Sequence, residues 1–182
     1  MIALPRKISY IVLLLVYFIC CSSGLLWATT PEKNDTYHPE NRLFHIERSK
    51  NKNIVCYDLN TDVTGKPDEK KPLLVYWSNP ERHQGKGSEL SYIQQKFAYG
   101  YTVTGKRNGA IIIGLNAALD RKITIERNEQ KYYCSIDINR KPSILTKIYI
   151  KTKTPNSLQV EYVEIEGFDI VTGMPVKERF IP

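Results

Sequence analysis

KITIERNEQKYYCSIDIN, residues 122–139, alternates apolar and polar side chains on both sides of a polar break at Asn128-Glu129. The apolar positions are Ile123 and Ile125 before the break, and Tyr132, Cys134, Ile136 and Ile138 after it. A period of two places the apolar side chains on one face of a strand and the polar ones on the other. The stretch therefore predicts an antiparallel hairpin with one face in contact with water.

Short runs rich in Ile, Val, Tyr and Thr recur from Arg42 onward, separated by Gly, Pro, Asn and Asp. This spacing is typical of all-β domains, and we expect about eight to ten strands in residues 42–182. An open sheet of that size would leave its edges and one apolar face exposed. We therefore expect a single antiparallel barrel or a two-layer sandwich, and the pattern does not choose between them.

One segment, residues 88–97, has helical spacing instead. Leu90, Ile93 and Phe97 fall on one stripe of a helix, and Ser88 can cap its start. We expect one short helix there that packs across the mouth or the flank of the sheet.

The chain begins with Arg6 and Lys7, followed by an apolar run over residues 8–28. A cationic start, an apolar run and small residues near its end are the parts of an export signal. Because the run is also close to the roughly 20 residues that span a bilayer, residues 1–28 are predicted to be a signal peptide or an uncleaved membrane anchor. Either one makes the protein exported, periplasmic or secreted. The polar residues 29–41 are predicted to be a flexible tether.

Without residues 1–28 the chain keeps 24 basic and 19 acidic side chains, a net charge of +5 spread along its length. A modest positive excess on an exported protein does not suggest nucleic acid as a partner. It fits a small molecule or an anionic component of the cell envelope, although most such charge is ordinary solvated surface. Membrane contact is expected only through residues 8–28, if they are not cleaved.

Two cysteines, Cys56 and Cys134, lie in the predicted β domain. An even number in an oxidising compartment allows one disulfide. A free cysteine is also commonly a buried apolar residue. The pair is therefore a candidate disulfide, with the free thiols as the alternative.

The residues most suggestive of a binding site belong to the first predicted strand. His45 and Glu47 share one face of it, whereas Arg48 shares the other face with apolar neighbours. The planar guanidinium of Arg48 can grip a carboxylate, phosphate or sulfate at the rim of the sheet. The alternative is that Arg48 pairs with an acid such as Asp58 across the hairpin and only sets the register.

The hypothetical ligand site lies at one end of the sheet, near the predicted helix. It consists of His45, Arg48, Ser49, Lys50, Asn51, Tyr99 and Tyr101. Tyrosine rings with polar tips suit a cavity for a small ligand, and core packing accounts for the same rings without one.

Catalytic alternatives have few candidate groups. His45 and Glu47 offer two metal ligands without a visible third, so we expect no metal and no other cofactor. A hydrolase-type enzyme would use His45 with a nearby nucleophile, for which Cys56 on the adjacent predicted strand is a candidate. An oxidising compartment disfavours a persistent thiolate. The other histidines are His38 in the tether and His83 in a glycine-containing loop.

Three strings resemble the signatures of a bacterial family known as a domain of unknown function, number 4833. They are FHIERSKNKNIVCYDLN at residues 44–60, LLVYW at 73–77 and IQQKFAYGY at 93–101, and FHIERSKN is fairly specific. The resemblance covers most of the chain from Leu43 onward. It implies an exported single-domain protein, and it carries no activity and no catalytic residues.

These observations favour non-catalytic binding of a small or anionic cell-envelope ligand by an exported β domain. A hydrolase-type enzyme and a structural module for protein interaction are the alternatives.

Overall fold

The computed structural model describes residues 39–49, 51–79, 87–129, 131–153 and 159–182, and this part of the chain is mostly β. Its strands are β1 Arg42–Arg48, β2 Ile54–Leu59, β3 Leu73–Ser78, β4 Ser88–Glu89, β5 Tyr101–Arg107, β6 Ala110–Leu115, β7 Ala118–Arg127, β8 Tyr132–Ile138, β9 Lys141–Thr152, β10 Val160–Asp169 and β11 Pro175–Phe180. A 3-10 turn, Pro39–Asn41, precedes β1. The predicted signal or anchor, residues 29–38 of the predicted tether, and the loop 80–86 lie outside the described residues.

The strands form one mixed sheet that curls into a half-barrel. β9 organises this sheet because it has three neighbours. β10 runs antiparallel along one edge of β9. On the other edge β8 pairs antiparallel with the first part of β9, and β1 pairs parallel with its second part. One arm of the sheet continues from β1 through β2 and β3 to β4, and the other continues from β8 through β7 and β6 to β5.

The sheet bends near the point where β9 changes partner. The pairing of β9 with β10 shifts register between Glu166 and Gly167, which marks a bulge. A Cβ atom on Gly167 would lie 2.1 Å from the carbonyl oxygen of Ile144. A glycine is therefore needed where the two backbones approach this closely.

The two arms curl around one apolar core. The tyrosine hydroxyl of Tyr101 in β5 donates to the carbonyl of Leu73 in β3 at 2.9 Å and accepts from its amide at 3.0 Å. The two arms are thus joined by side-chain bonds at this point. Fully buried side chains of the core are Phe44, Val55, Tyr57, Leu73, Ile113, Ile123, Ile125, Cys134, Ile138 and Leu145. Among the described residues these side chains form one apolar core cluster.

The helix starts later than the predicted segment 88–97. Ser88 belongs to β4, and Ser91 caps the α-helical turn Tyr92–Gln94, which continues as a π-helical turn Gln95–Tyr99. Ser91 accepts a hydrogen bond from the amide of Gln94, and the Gln94 side chain accepts one from the amide of Ser91, so the pair forms a capping box.

The apolar stripe expected on this helix does not pack as predicted. Leu90 is buried, but Ile93 is 69% exposed and Phe97 is 64% exposed. The π-helical turn changes the residue spacing, so that Tyr99 is the residue that reaches the core.

The all-β prediction with one short helix is confirmed. The sheet differs from the expected form in two respects. It is mixed, because β1 is parallel to β9, and it is a half-barrel, neither closed nor split into two layers. Sequence alternation specifies which face of a strand is buried, but it carries no information on whether distant strands such as β1 and β9 pair parallel or antiparallel.

Candidate functional site

The two faces of β1 separate the predicted site residues. Phe44 and Ile46 are buried in the core, and Arg48 lies on the same, inner face. His45 and Glu47 lie on the outer face, as the alternation predicts. His45 and Arg48 therefore do not line a common site, because the strand itself lies between their side chains.

The outer-face residues form polar contacts with one another and with Lys147. The Nε2 atom of His45 lies 3.0 Å from Oε1 of Glu47, whose other oxygen lies 4.0 Å from Nζ of Lys147. Lys147 also contacts Glu166 at 2.8 Å. This contact joins His45 and Glu47 to a ladder of alternating charges on the neighbouring strands.

The ladder extends across β10 and β11. Lys177 contacts Glu164 at 3.0 Å and Glu166 at 2.7 Å, and Arg179 contacts Glu164 at 2.8 Å. Hydrogen bonds from Arg179 and Lys177 lower the pKa of Glu164. For Glu166 burial acts in the opposite direction, but hydrogen bonds from Lys147 and Lys177 outweigh it and the pKa is lowered. This face is a set of mutually satisfied charges.

Arg48 has a different environment on the inner face. Its Nη1 donates to the hydroxyl of Tyr99 at 3.4 Å. Within the described residues it forms no ion pair. In the register of the sheet Arg48 lies beside Ile150, which lies beside Val163, and both apolar side chains are only partly buried. A half-buried cation thus borders a half-buried apolar row at the end of the half-barrel.

Tyr99 is held in place from several sides. Its carbonyl accepts a hydrogen bond from the hydroxyl of Tyr57 at 2.6 Å. Its ring packs edge-to-face against Trp77, with centroids 5.2 Å apart, and the indole of Trp77 donates to Gln94 at 3.2 Å. The short helix thereby positions the Tyr99 hydroxyl next to Arg48. We call the group Arg48, Trp77, Tyr99, Ile150 and Val163 the Arg48 site.

Ser49 and Asn51 have structural roles. The amide of Ser49 donates to the carbonyl of Ile150 at 3.0 Å, and its hydroxyl lies 3.1 Å from that of Thr152, so Ser49 extends the parallel pairing of β1 with β9. The amide of Asn51 donates to the carbonyl of Arg48 and its side chain accepts from the amide of Asn53, which builds the turn.

Tyr101 does not join the Arg48 site. The hydroxyl of Tyr101 is hydrogen-bonded to the backbone of Leu73, and burial raises the pKa of Tyr101 to about 12. Lys50 lies outside the described residues. Of the predicted ligand residues, the structure brings together Arg48 and Tyr99.

Asp58 pairs with Arg42, which corrects the alternative that it pairs with Arg48. The carboxylate of Asp58 accepts hydrogen bonds from Nε of Arg42 and from the hydroxyl of Tyr76. Arg42 also donates to the Tyr76 hydroxyl at 3.1 Å. The physical reason is a register shift between Arg42 and Phe44, which places Arg42 opposite Asp58. A regular strand would have placed Arg42 on the inner face, so the alternation alone could not reveal this cluster.

Both cysteines are free and fully buried. Cys134 packs into the core, whereas Cys56 lies between the core residues Val55 and Tyr57 and so points to the opposite face of its strand. This difference in facing explains why the candidate disulfide is not formed. Burial raises the pKa of the Cys56 thiol to about 12 and also raises that of Cys134. A thiolate nucleophile next to His45 is strongly disfavoured by this environment.

A shallow groove lies on the outer face of β7 and β8, away from the Arg48 site. Its volume is about 420 Å³, and its polar lining is formed by Asp120, Arg121, Lys122, Thr124, Ser135 and Asp137. Among the described residues no group of three or more His, Cys, Asp or Glu side chains is arranged to hold a metal ion. In the same part of the chain, no helix combines the length and apolar character needed to cross a membrane.

Comparisons with known proteins identify a family whose function is unknown. No curated protein and no solved structure matches the chain. The sequence model of one family matches residues 44–179, which extend from Phe44, the first buried residue of β1, into the last strand. This span contains all five residues of the Arg48 site. The chain therefore belongs to the family described as a domain of unknown function, DUF4833.

Proposed function

We propose that this chain is an exported domain that binds a small amphipathic anion, with a carboxylate, phosphate or sulfate head and an apolar body, at the Arg48 site. One observation carries the proposal. The guanidinium of Arg48 is half-buried on the inner face of the half-barrel, and among the described residues its one side-chain partner is the neutral hydroxyl of Tyr99.

The chemistry of the site supports an anionic ligand. A guanidinium offers five N–H donors in a fixed planar fork, and one contact to Tyr99 leaves the others available. Tyr99 is itself held by Tyr57 and Trp77, so the donor pair is positioned before a ligand arrives. Pre-positioned donors bind more tightly because less side-chain motion is lost on binding.

The surroundings of Arg48 support an apolar body on that ligand. Ile150 and Val163 extend from Arg48 across the sheet and remain partly exposed at the end of the half-barrel. An apolar chain laid along this row would be removed from water, with a gain of about 25 cal/mol per Å² of buried apolar surface. Because Ile150 and Val163 are only partly buried, we place the ligand at the rim of the half-barrel.

Export is the second part of the proposal, and it rests on residues 1–28. The cationic start and the apolar run have the composition of an export signal. A periplasmic or secreted domain would meet anionic amphiphiles of the cell envelope, which is the ligand class that the Arg48 site suits. Fusing the chain to a reporter that is active only outside the cytoplasm tests this part on its own.

Isothermal titration with octyl phosphate tests the binding site. We expect the unaltered chain to bind octyl phosphate, and Arg48→Ala to bind about tenfold or more weakly, because a charge-assisted hydrogen bond contributes about 1.5–3 kcal/mol. Arg107→Ala is the matched control, since Arg107 is exposed and forms no side-chain bond within the described chain. Octanol, which lacks the anionic head, should bind the unaltered chain and Arg48→Ala equally weakly.

Two results would contradict the proposal. If Arg48→Ala and Arg107→Ala bind octyl phosphate with the affinity of the unaltered chain, the Arg48 site is not the binding site. If Arg48→Ala lowers the melting temperature by more than a few degrees, Arg48 has a structural role and the proposed role in binding is withdrawn.

A further inference from the structure

The hairpin between β10 and β11 exposes large apolar side chains at its tip. Ile170 is 40% exposed, Met174 is 63% exposed and Val171 is 88% exposed. Single exposed apolar residues are ordinary on protein surfaces, but a run of them at one projecting turn marks a contact surface.

The turn that carries these side chains is built by Asp169. Its carboxylate accepts hydrogen bonds from the amides of Val171 and Thr172, both at 2.9 Å, and its carbonyl accepts one from the amide of Gly173 at 2.8 Å. Gly173 has a φ of 68°, which glycine adopts without strain. The apolar tip is therefore held in one conformation by its own backbone.

A basic turn lies next to the apolar one. The turn between β8 and β9 contains Arg140 and leads into Lys141, and both side chains are exposed. The two turns touch, because the amide of Ile170 donates to the carbonyl of Pro142 at 3.1 Å. Within the described residues neither Arg140 nor Lys141 forms an ion pair.

Most of the acidic groups near the two turns accept hydrogen bonds from other residues of the fold. The pKa of Asp169 is lowered, chiefly by the hydrogen bond from the amide of Thr172 and to a smaller extent by the charge of Lys141. Glu178 accepts from Arg121 at 2.9 Å and from the amide of Asn139 at 2.8 Å. Asp137 is exposed on β8 opposite Pro142. The two cations at the tips are thus adjacent to carboxylates that are mostly committed to the backbone or to Arg121.

The chain enters the sheet at this same end. β1 is parallel to β9, so the start of β1 and the start of β9 point to one end of the sheet. The start of β9 follows the basic turn, and its partner β10 ends at the apolar turn. Pro39, where the described part of the chain begins, therefore lies at the end that carries both turns, and the 38 residues before it in the sequence include the apolar run 8–28.

We propose that this end of the domain docks on an anionic lipid membrane. Ile170, Val171 and Met174 enter the boundary between headgroups and acyl chains, and Arg140 and Lys141 contact the headgroup phosphates. Apolar side chains flanked by cations are the combination that binds an anionic membrane surface. The Arg48 site lies at the other end of β1 and remains open to ligands in this orientation. The docking surface is independent of the proposed ligand site.

The test uses the full chain with a reporter at the apolar tip. Val171→Trp is reconstituted in vesicles of phosphatidylcholine with phosphatidylglycerol, 7:3, prepared with and without brominated acyl chains. The signal is the extra fluorescence of the new tryptophan over that of the unaltered chain, which contains only Trp27 and Trp77. We expect the brominated lipid to quench this extra signal, and we expect much weaker quenching in phosphatidylcholine alone.

Neutralising the basic turn tests the role of the cations. In the Val171→Trp background, Arg140→Asn with Lys141→Gln should reduce the quenching about twofold or more, because each cation near an anionic surface contributes measurably to binding. Asparagine is chosen at position 140 because Arg140 has a φ of 63°, a conformation that asparagine tolerates. Arg107→Gln with Lys131→Gln is the control with the same change in charge, placed at the end of β5 and just before β8.

Three results would overturn the proposal. One is a Val171→Trp signal that brominated lipid leaves unchanged. Another is equal quenching in neutral and anionic vesicles, with no effect of neutralising Arg140 and Lys141. The third is strong quenching of Ile93→Trp without quenching of Val171→Trp, which would assign membrane contact to the exposed short helix. A protein partner in place of a membrane would give the first of these results.

Discussion

Two arginines at the two ends of β1 have opposite environments. The Arg42 side chain is 16% exposed and contacts Asp58, whose side chain is 4% exposed, and both contact Tyr76. Arg48 is half-buried and contacts the hydroxyl of Tyr99, with no carboxylate partner among the described residues. The two arginines are six residues apart on one strand. Within the described residues, Arg42 is paired with a carboxylate, whereas Arg48 bonds only a hydroxyl.

This difference shows that the register of the backbone determines which side chain each arginine contacts. The bulge after Arg42 places it opposite Asp58, whereas Arg48 follows regular alternation onto the inner face. Burial disfavours the charged form of Arg42, but Asp58 outweighs it, and the pKa of Arg42 lies above its usual value. Burial and the hydrogen bond to Asp58 raise the pKa of Tyr76. We therefore expect Arg42 to contribute to stability, and Arg48 remains the residue that we propose for binding.

The largest effect is expected when Asp58 is removed. Asp58→Ala removes the buried carboxylate that accepts hydrogen bonds from Arg42 and Tyr76, and we expect the free energy of unfolding to fall by about 3 kcal/mol or more. Urea unfolding measures this free energy. Asp137→Ala, an exposed aspartate on β8, should change it by about 0.5 kcal/mol or less. Equal effects of the two substitutions would remove the distinction between the two arginines.

The ion pairs of the outer face give an intermediate case. The pKa of Glu164 is lowered, first by Arg179 and then by Lys177, so the folded protein holds this carboxylate ionised to lower pH than the unfolded chain does. The resulting stability is fully present above about pH 4.5 and is lost as the pH falls below that value. Glu164→Gln should therefore flatten the fall in melting temperature between about pH 5 and pH 3.

The control for this acid transition is Glu129→Gln, since Glu129 is exposed and forms no ion pair in the described chain. It should leave the slope unchanged. A Glu164→Gln variant with the full slope of the unaltered protein would show that other carboxylates carry the acid sensitivity. At pH 7 we expect a cost of about 1 kcal/mol or less, because both partners of Glu164, Lys177 and Arg179, are exposed to solvent.

The smallest effect is expected at Tyr99. Tyr99→Phe removes the hydroxyl that Arg48 contacts but keeps the ring against Trp77 and the backbone bond from Tyr57. We expect the free energy of unfolding to change by about 0.5 kcal/mol, because the lost bond is long and partly exposed. Affinity for octyl phosphate should fall less than in Arg48→Ala. A loss of stability as large as that of Asp58→Ala would show that the contact between Arg48 and Tyr99 stabilises the fold.

Local sequence patterns determined much of this protein. Alternation in residues 122–139 predicted the hairpin of β7 and β8, and the same period in β1 placed His45 and Arg48 on opposite faces. The FHIERSKN string pointed to the family that the comparison confirms. These features succeed because strand periodicity and short motifs depend only on neighbouring residues.

The tertiary structure decided which distant groups meet. The parallel pairing of β1 with β9, the bulge that joins Arg42 to Asp58, and the π-helical turn that directs Tyr99 toward Arg48 all involve backbone geometry that alternation does not encode. Their physical reason is the same. Strand partners and bulges are selected by the packing of the whole core and by the need to satisfy buried polar groups, and both are properties of the folded chain.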